Sequence, residues 1–139
     1  MAGYSGTPLP KKLGIQKRFR VCLVGMPAKV KAELKDVLAD CRVQKDGQEP
    51  LDFALIFVQT AVDLKRELSR LAPRLAAAGM LWVSWPKKTS GVSTDLREDE
   101  VRRIGLAAGL VDIKVCAVNE VWSGLKFVIP LKDRAGRGL

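Results

Sequence analysis

The sequence contains no histidine among its 139 residues. This absence excludes Ser-His-Asp and Cys-His catalysis, imidazole zinc ligands and a histidine general base. The acidic residues are scattered, and the acidic run at 98–100 is typical of the first turn of a helix. We therefore expect no metal site. The residue types identify no cofactor, and they leave open whether the chain is an enzyme.

The sequence also lacks long apolar runs and paired cysteines. No segment reaches the roughly 18 consecutive apolar residues of a membrane span. The first residues, MAGYSGTPLPKK, lack the apolar core of a signal peptide. The cysteines at 22, 41 and 116 are odd in number and form no C-x-x-C pair, which favours reduced thiols. These features predict a cytoplasmic protein that does not enter a membrane.

Basic residues outnumber acidic ones, and the net charge is +9. Residues 1–20 carry five basic side chains and no acid, and residues 132–139 carry three against one. We therefore predict a basic N-terminal segment at 1–18, a single domain at 19–131 and a basic C-terminal tail at 132–139. The basic ends fit nucleic acid or an acidic partner, and they equally fit solvated tails.

Short apolar runs alternate with helical periodicity along the chain. Buried strands are predicted at 19–24, 53–58 and 80–85, with a weaker strand near 42–44. Two further strand-like runs near the C-terminus predict a hairpin whose turn lies near Ser123 and Gly124. The pattern predicts an α/β fold, a Rossmann-like three-layer sandwich with a mostly parallel sheet and a C-terminal antiparallel hairpin.

Three helices are expected between the strands. The first spans about 28–40, and apolar residues at helical spacing mark the other two: Leu64, Leu68, Leu71 and Leu75, and then Val101 and Ile104. Thr60 with Asp63, and Asp95 with Glu98, have the spacing of capping boxes. Pro73 predicts a helix end near Leu71, and Gly109 is placed to end the last helix.

This order of elements resembles the class I methyltransferase variant of the Rossmann architecture over residues 19–131. The resemblance implies an adenosylmethionine site at the end of the first strand, where that family has an acidic residue and a glycine-rich turn. Here the matching stretch, VCLVGMPAKV, has the single glycine Gly25 and no acid before it. Asp46 is the residue that could correspond to the ribose-binding acid after the second strand.

Three longer motifs resemble a bacterial family known only as a domain of unknown function. They are GYSGTPLPKKLGI at 3–15, WPKKTSGVSTDL at 85–96 and GLVDIKVCAVNEVWSGLKFV at 109–128. The resemblance implies the same Rossmann-like fold and carries no activity with it.

The strongest candidate for a binding site is the loop at 85–96. Ligands of open α/β sheets bind beyond the carboxyl ends of the parallel strands, where this loop is expected to lie. Its lysines, hydroxyls and glycine suit a small anionic or nucleotide-like ligand beside a helix N-terminus. The predicted ligand-binding residues are Gly25, Lys87, Lys88, Thr89, Ser90, Gly91, Thr94, Asp95, Asn119, Glu120 and Trp122.

Other interpretations of the same residues stay open. The loop can be an ordinary polar connection in which Thr94 or Asp95 caps the following helix. The chain can instead bind nucleic acid through its basic ends. A third alternative is a non-catalytic scaffold, derived from a methyltransferase-like fold, that binds a protein partner.

Overall fold

The computed structural model describes residues 6–44 and 49–137. Asp46 lies outside these ranges, as does most of the turn-rich connection around it. The described residues form four α-helices and six β-strands: α1 (Leu9–Leu13), β1 (Arg20–Val24), α2 (Ala28–Ala39), β2 (Arg42–Val43), β3 (Leu51–Phe57), α3 (Ala61–Leu71), β4 (Leu75–Pro86), α4 (Glu98–Ala107), β5 (Val111–Ala117) and β6 (Trp122–Val128). Short 3-10 helices cover Ala72–Arg74, Lys88–Ser90 and Leu131–Asp133.

The six strands form one sheet in the order β2-β1-β3-β4-β6-β5. The first four strands of that order run parallel, whereas β6 is antiparallel to both β4 and β5. Central parallel strands are buried on both faces, which is why β3 and β4 are nearly continuous apolar runs in the sequence. The predicted Rossmann-like α/β fold, with its C-terminal antiparallel hairpin, is confirmed.

Helices cover both faces of the sheet. The apolar sides of α3 and α4 pack on one face through a core cluster that includes Leu64, Leu68, Leu71, Val101 and Ile104. A second cluster on the opposite face contains residues of α1 and α2, among them Leu9, Leu13, Val30 and Leu34. The molecule is therefore a three-layer sandwich, as the alternation of elements predicts.

The N-terminal helix α1 is part of the domain core. Leu9, Leu13 and Ile15 are buried, and the buried indole of Trp82 on β4 donates a 2.8 Å hydrogen bond from Nε1 to the carbonyl of Leu13. The core thus reaches back beyond residue 19, although the basic residues around α1 suggested a separate segment.

Most predicted helix ends are confirmed. The hydroxyl Oγ1 of Thr60 accepts a 3.1 Å hydrogen bond from the backbone N–H of Asp63 at the start of α3. That helix ends at Leu71, ahead of Pro73. Gly109 follows the end of α4 with φ of 88°, a left-handed conformation that glycine adopts without strain.

The assignment of Leu75 to the face of α3 is wrong, because Leu75 is the first residue of β4 and pairs with Leu51. The strand therefore begins earlier than residue 80. The β3–β4 register shifts between Leu51 and Phe53, and a Cβ at Gly79 would lie 2.5 Å from the carbonyl oxygen of Leu51. The small residues at 76–79 allow this irregular close pairing. Because their alanines also suit a helix, the sequence does not show that the strand begins here.

The hairpin turn is not at Ser123 and Gly124, which lie inside β6. The chain turns instead at 118–121, where Oδ1 of Asn119 accepts hydrogen bonds of 2.9 Å from the N–H groups of both Val121 and Trp122. Asparagine makes such turns by mimicking a backbone carbonyl. A Cβ at Gly124 would lie 3.2 Å from the ring of Trp82, so this glycine makes room for the indole.

An ion pair joins the starts of β1 and β3. The guanidinium of Arg20 donates two hydrogen bonds of 2.9 Å to the carboxylate of Asp52, which also accepts the Arg20 backbone N–H at 2.8 Å. Hydrogen bonding from Arg20 lowers the pKa of Asp52, although partial burial acts in the opposite direction. The carboxylate is therefore more acidic in the folded protein than in the unfolded chain.

This pKa shift predicts a pH-dependent contribution to stability. The folded protein keeps Asp52 charged at pH values where the unfolded chain takes up a proton, so the contribution is complete above the ordinary carboxyl pKa of about 4. It is lost as the pH falls through the lower folded pKa. We expect Asp52→Asn to reduce the free energy of unfolding by about 2 kcal/mol at pH 6 and by progressively less toward pH 2. Urea unfolding of both proteins across this range measures the difference, and a difference independent of pH would contradict the assignment.

No helix within 6–44 and 49–137 is both long enough and apolar enough to cross a membrane.

Candidate functional site

The loops after β1, β3 and β4 meet at one edge of the sheet. These three strands are parallel neighbours, so their carboxyl ends lie side by side. The chain leaves β1 toward β2 on one side and later returns to β3 on the other, which places the topological switch point between β1 and β3. Ligands of open α/β sheets bind outside such a point.

The loop from 87 to 97 leaves β4 and is held by its own hydrogen bonds. The backbone N–H of Lys87 donates a 2.7 Å bond to the carbonyl of Val121 in the hairpin turn. The hydroxyl of Ser90 donates to the carbonyl of Lys87 and accepts from the N–H of Val92. Gly91 has φ of 79°, which turns the chain out of the 3-10 helix at Lys88–Ser90. The side chain of Thr89 is exposed.

The second half of this loop lies across the start of α3. The hydroxyl of Thr94 donates a 2.6 Å hydrogen bond to the carbonyl of Gln59, and Oδ1 of Asp95 accepts a 2.8 Å bond from the N–H of Ala61. The predicted capping of α4 by Thr94 or Asp95 is therefore wrong. The N-cap of α4 is Arg97, which makes no side-chain capping bond, and Asp95 satisfies an amide of the neighbouring helix instead.

An open pocket of about 310 Å³ lies beside this loop, lined by Lys88, Thr94, Asp95, Leu96 and Arg97. Within the described residues, neither Lys88 nor Arg97 forms an ion pair. By contrast, six other arginines are paired with acids: Arg20, Arg42, Arg66, Arg70, Arg102 and Arg103. The pocket therefore places two available cations next to a threonine at the edge of the sheet.

Arg97 was not among the predicted site residues. A cation just before the first turn of a helix is unusual, because the partial positive charge of the helix N-terminus disfavours it. The sequence shows this arginine directly before three acids, and those acids suggested a helix start rather than a binding residue.

Gly25 and Trp122 lie outside this pocket, and both are used in packing. Gly25 has φ of 65°, and a Cβ there would lie 2.9 Å from the carbonyl oxygen of Phe57 on β3. The ring of Phe57 packs edge-on against the indole of Trp122, with ring centroids 5.1 Å apart. The turn after β1 thus rests directly on β3.

The predicted hairpin residues Asn119 and Glu120 lie at the turn between β5 and β6. The amide oxygen of Asn119 is used by the turn, whereas the carboxylate of Glu120 is exposed. Neither residue lines the pocket beside Lys88. The structure thus joins Lys88, Thr94 and Asp95 in one pocket, which Gly25, Asn119, Glu120 and Trp122 do not line.

Part of the basic charge at the chain ends is used inside the fold. Arg134 donates a 2.9 Å hydrogen bond to the carbonyl of Ile129, and the guanidinium of Arg137 donates to the carbonyls of Ala72, Pro73 and Leu75. The proposed C-terminal tail thus packs against the turn that follows α3 as far as residue 137.

The sheet order and the closing hairpin define a Rossmann-like fold of the methyltransferase type, and solved structures agree. An S-adenosylmethionine-dependent methyltransferase from Aquifex aeolicus superposes with a TM-score of 0.58 at 16% identity, covering 86% of this chain and 87% of that one. Fibrillarin from Aeropyrum pernix, solved with natively bound S-adenosyl-L-methionine, gives 0.53 at 12% identity with 91% and 70% covered. Fibrillarin from Methanococcus jannaschii, a pre-rRNA processing protein, gives 0.53 at 12% identity with 88% and 69% covered.

Residues 12–131 match the family model described as "Protein of unknown function (DUF3052)", and the chain belongs to this family. The prediction of membership in a family of unknown function is thereby confirmed. A comparison with curated proteins finds no match. Because the identities to these solved structures are below 25%, their structural similarity shows a shared fold alone.

Proposed function

We propose that this protein binds a small anionic ligand, such as a phosphate or nucleotide group, in the pocket bounded by Lys88, Thr94 and Arg97. The observation that carries the proposal is a pair of cations in a concave site at the carboxyl edge of the sheet, neither of which forms an ion pair with any described residue. This edge is where α/β proteins of this kind bind their ligands. A volume of about 310 Å³ suits a small anion or one end of a larger molecule.

The acids near the pocket are already engaged. Asp95 lines the pocket, but its Oδ1 accepts the N–H of Ala61 at the positive end of α3. In the first turn of α4, Glu98 pairs with Arg102 and Glu100 pairs with Arg103. Glu98 and Glu100 have cationic partners of their own, and Asp95 keeps its charge but is held by the amide of Ala61. With Lys88 and Arg97 against Asp95, the residues that line the pocket are net positive.

The residues at the end of β1 do not fit S-adenosylmethionine in the manner that the fold suggests. A glycine-rich turn gives a cofactor close access to the backbone. At Gly25, however, the space where a side chain would lie is occupied by the carbonyl oxygen of Phe57. The strand ends in Val24, with no acid to bind a ribose or an amino group. The proposal therefore includes no methyl transfer.

Ligand titrations of the purified protein test this function. Inorganic phosphate, AMP, ATP and S-adenosylmethionine are added in thermal unfolding and calorimetric titrations. A ligand present at 100 times its Kd stabilises the folded state by about 2.7 kcal/mol, so at least one phosphate-bearing ligand should raise the Tm. The Lys88→Ala/Arg97→Ala variant should bind that ligand at least roughly tenfold more weakly, since two charge-assisted contacts are removed.

A matched control removes two cations elsewhere. The Lys29→Ala/Arg18→Ala variant has the same net charge as the pocket variant, and both of its changes are exposed. It should keep the affinity of the wild type. Equal weakening in both variants would show that binding is only a response to net charge. Tighter binding of S-adenosylmethionine than of ATP would contradict the misfit at Gly25.

A further inference from the structure

A second cationic surface lies on the other side of the molecule, between α1 and β5. An open groove of about 480 Å³ is lined there by Thr7, Lys11, Lys12, Lys114, Val115, Cys116 and Ala117. None of the described residues that line it is acidic. The groove shares no lining residue with the pocket beside Lys88, so it stands independently of the function proposed above.

One wall of this groove is formed by β5. β5 is the terminal strand of the order formed by the described residues. The β5–β6 register shifts between Asp112 and Lys114, and regular pairing runs from Lys114 to Ala117. Antiparallel pairing alternates, so every second residue of this regular part turns its backbone N–H and C=O away from β6. Such an edge can accept a further strand. Ile113 and Val115 on this strand are 55% and 47% exposed, which provides apolar contacts for an added chain.

Lys114 of the groove has a further lysine beside it, Lys126 of β6, which does not itself line the groove. Lys114 lies directly opposite Lys126 in the β5–β6 register, and like charges at such positions destabilise a sheet. Burial lowers the pKa of Lys126, and the charge of Lys114 lowers it further. Burial raises the pKa of the Cys116 thiol, and the charges of Lys12 and Lys114 partly oppose that rise. A single edge lysine suffices to discourage aggregation, whereas this cluster concentrates positive charge from α1, β5 and β6.

We propose that the edge of β5, together with Lys11, Lys12, Lys114 and Lys126, binds an extended acidic segment of a partner protein as an additional strand. Successive side chains of the added strand would point to opposite faces of the sheet. One half of them would lie beside the lysines, and the other half would lie on the sheet face that carries the side chain of Val115. A second copy of the chain would bring the same lysines against each other. Nucleic acid lacks a backbone that pairs with a strand edge, and the described residues that line the groove include no aromatic ring for base stacking.

Peptide binding to the full chain tests the proposal. The probe is a fluorescently labelled eight-residue peptide of alternating glutamate and valine, measured by anisotropy. We expect saturable binding that weakens as salt increases. The corresponding lysine–valine peptide should not bind. A glutamate–valine peptide N-methylated at every residue keeps its charge but cannot pair with β5, and it should bind roughly tenfold more weakly or not at all.

Charge reversal in the groove supplies the second readout. Lys11→Glu/Lys114→Glu leaves two lysines beside two carboxylates and so removes the net positive charge of the site, which should weaken binding of the acidic peptide roughly tenfold or more. Lys114→Glu places a carboxylate opposite Lys126 and so replaces a pair of like charges by a pair of opposite charges. The variant should therefore fold. The matched control is Lys31→Glu/Lys35→Glu on α2, which makes the same charge change at exposed positions and should behave as the wild type.

Three results would overturn the proposal. The first is equal binding of the N-methylated and unmodified acidic peptides. The second is preferential binding of inorganic tripolyphosphate or an oligouridine octamer at the groove, which would indicate a small-anion or RNA site. The third is an unchanged affinity of the Lys11→Glu/Lys114→Glu variant for the acidic peptide. Because Lys88 and Arg97 are intact in every protein used, failure here leaves the first pocket untouched.

Discussion

Replacing Trp82 by alanine is expected to lower the free energy of unfolding by about 3–5 kcal/mol, the usual cost of removing a large aromatic side chain from a core. Trp82 is fully buried in the middle of β4. Its ring packs over Gly124 on β6, and its Nε1 donates a hydrogen bond to the carbonyl of Leu13, the last residue of α1. A typical domain is stable by about 5–15 kcal/mol, so this single change removes a large share of the stability.

The hydrogen bond of Trp82 can be separated from its packing. Trp82→Phe keeps most of the ring but leaves the carbonyl of Leu13 without its donor, which costs about 1–3 kcal/mol when the group is buried. Trp85→Phe is the matched control, because Trp85 is only 5% exposed and its indole makes no hydrogen bond within the described residues. Urea unfolding followed by far-UV circular dichroism gives each value. Equal losses in the two phenylalanine variants would show that the Nε1 bond to Leu13 contributes nothing.

Gly105→Ala is expected to destabilise the protein by about 3 kcal/mol, although alanine is the better helix former by about 1 kcal/mol. Gly105 is a buried residue of α4, and a Cβ there would overlap the ring of Phe127 on β6. Phe127 is itself fully buried. The overlap can be relieved only by moving the helix away from the sheet or by forcing the ring out of its rotamer.

A double-mutant cycle tests the cause of that loss. Phe127→Leu removes the ring atoms that the new methyl group would meet, so Gly105→Ala should cost far less in the Phe127→Leu background than in the wild type. Thermal or urea unfolding of the four proteins measures the coupling. Additive effects, or a Gly105→Ala protein as stable as the wild type, would mean that α4 does not pack on Phe127 as closely as described.

The sequence predicts the regular parts of this fold because apolar periodicity is a local signal. Side-chain spacing predicts strands β1 and β3. Thr60 and Pro73 predict the two ends of α3, and Gly109 predicts the C-terminal end of α4. The pairing of Leu75 with Leu51 does not follow from local spacing, because the two residues are more than 20 positions apart in the chain. Gly124 suggested a turn, yet its lack of a side chain is required by the indole of Trp82 across the sheet.

The candidate site is predictable only in part, for the same reason. The location of the loop at the carboxyl edge follows from the fold, and its lysines are visible in the sequence. The role of Asp95 depends on which helix N-terminus lies nearest in space, and that is α3 rather than α4. Arg97 becomes a pocket residue because the loop folds back beside Lys88. Both roles depend on tertiary contacts, which the spacing of residues along the chain does not predict.

The position of β6 has a consequence for how the molecule is made. β6 follows β5 in the chain but lies between β4 and β5 in the sheet. During synthesis on the ribosome, the outer edge of β4 therefore stays open after β5 has emerged, and the sheet closes only when β6 inserts. Pairing that waits for distant residues folds slowly and exposes unpaired edges. A nascent chain that stops before residue 122 should therefore need protection by a chaperone.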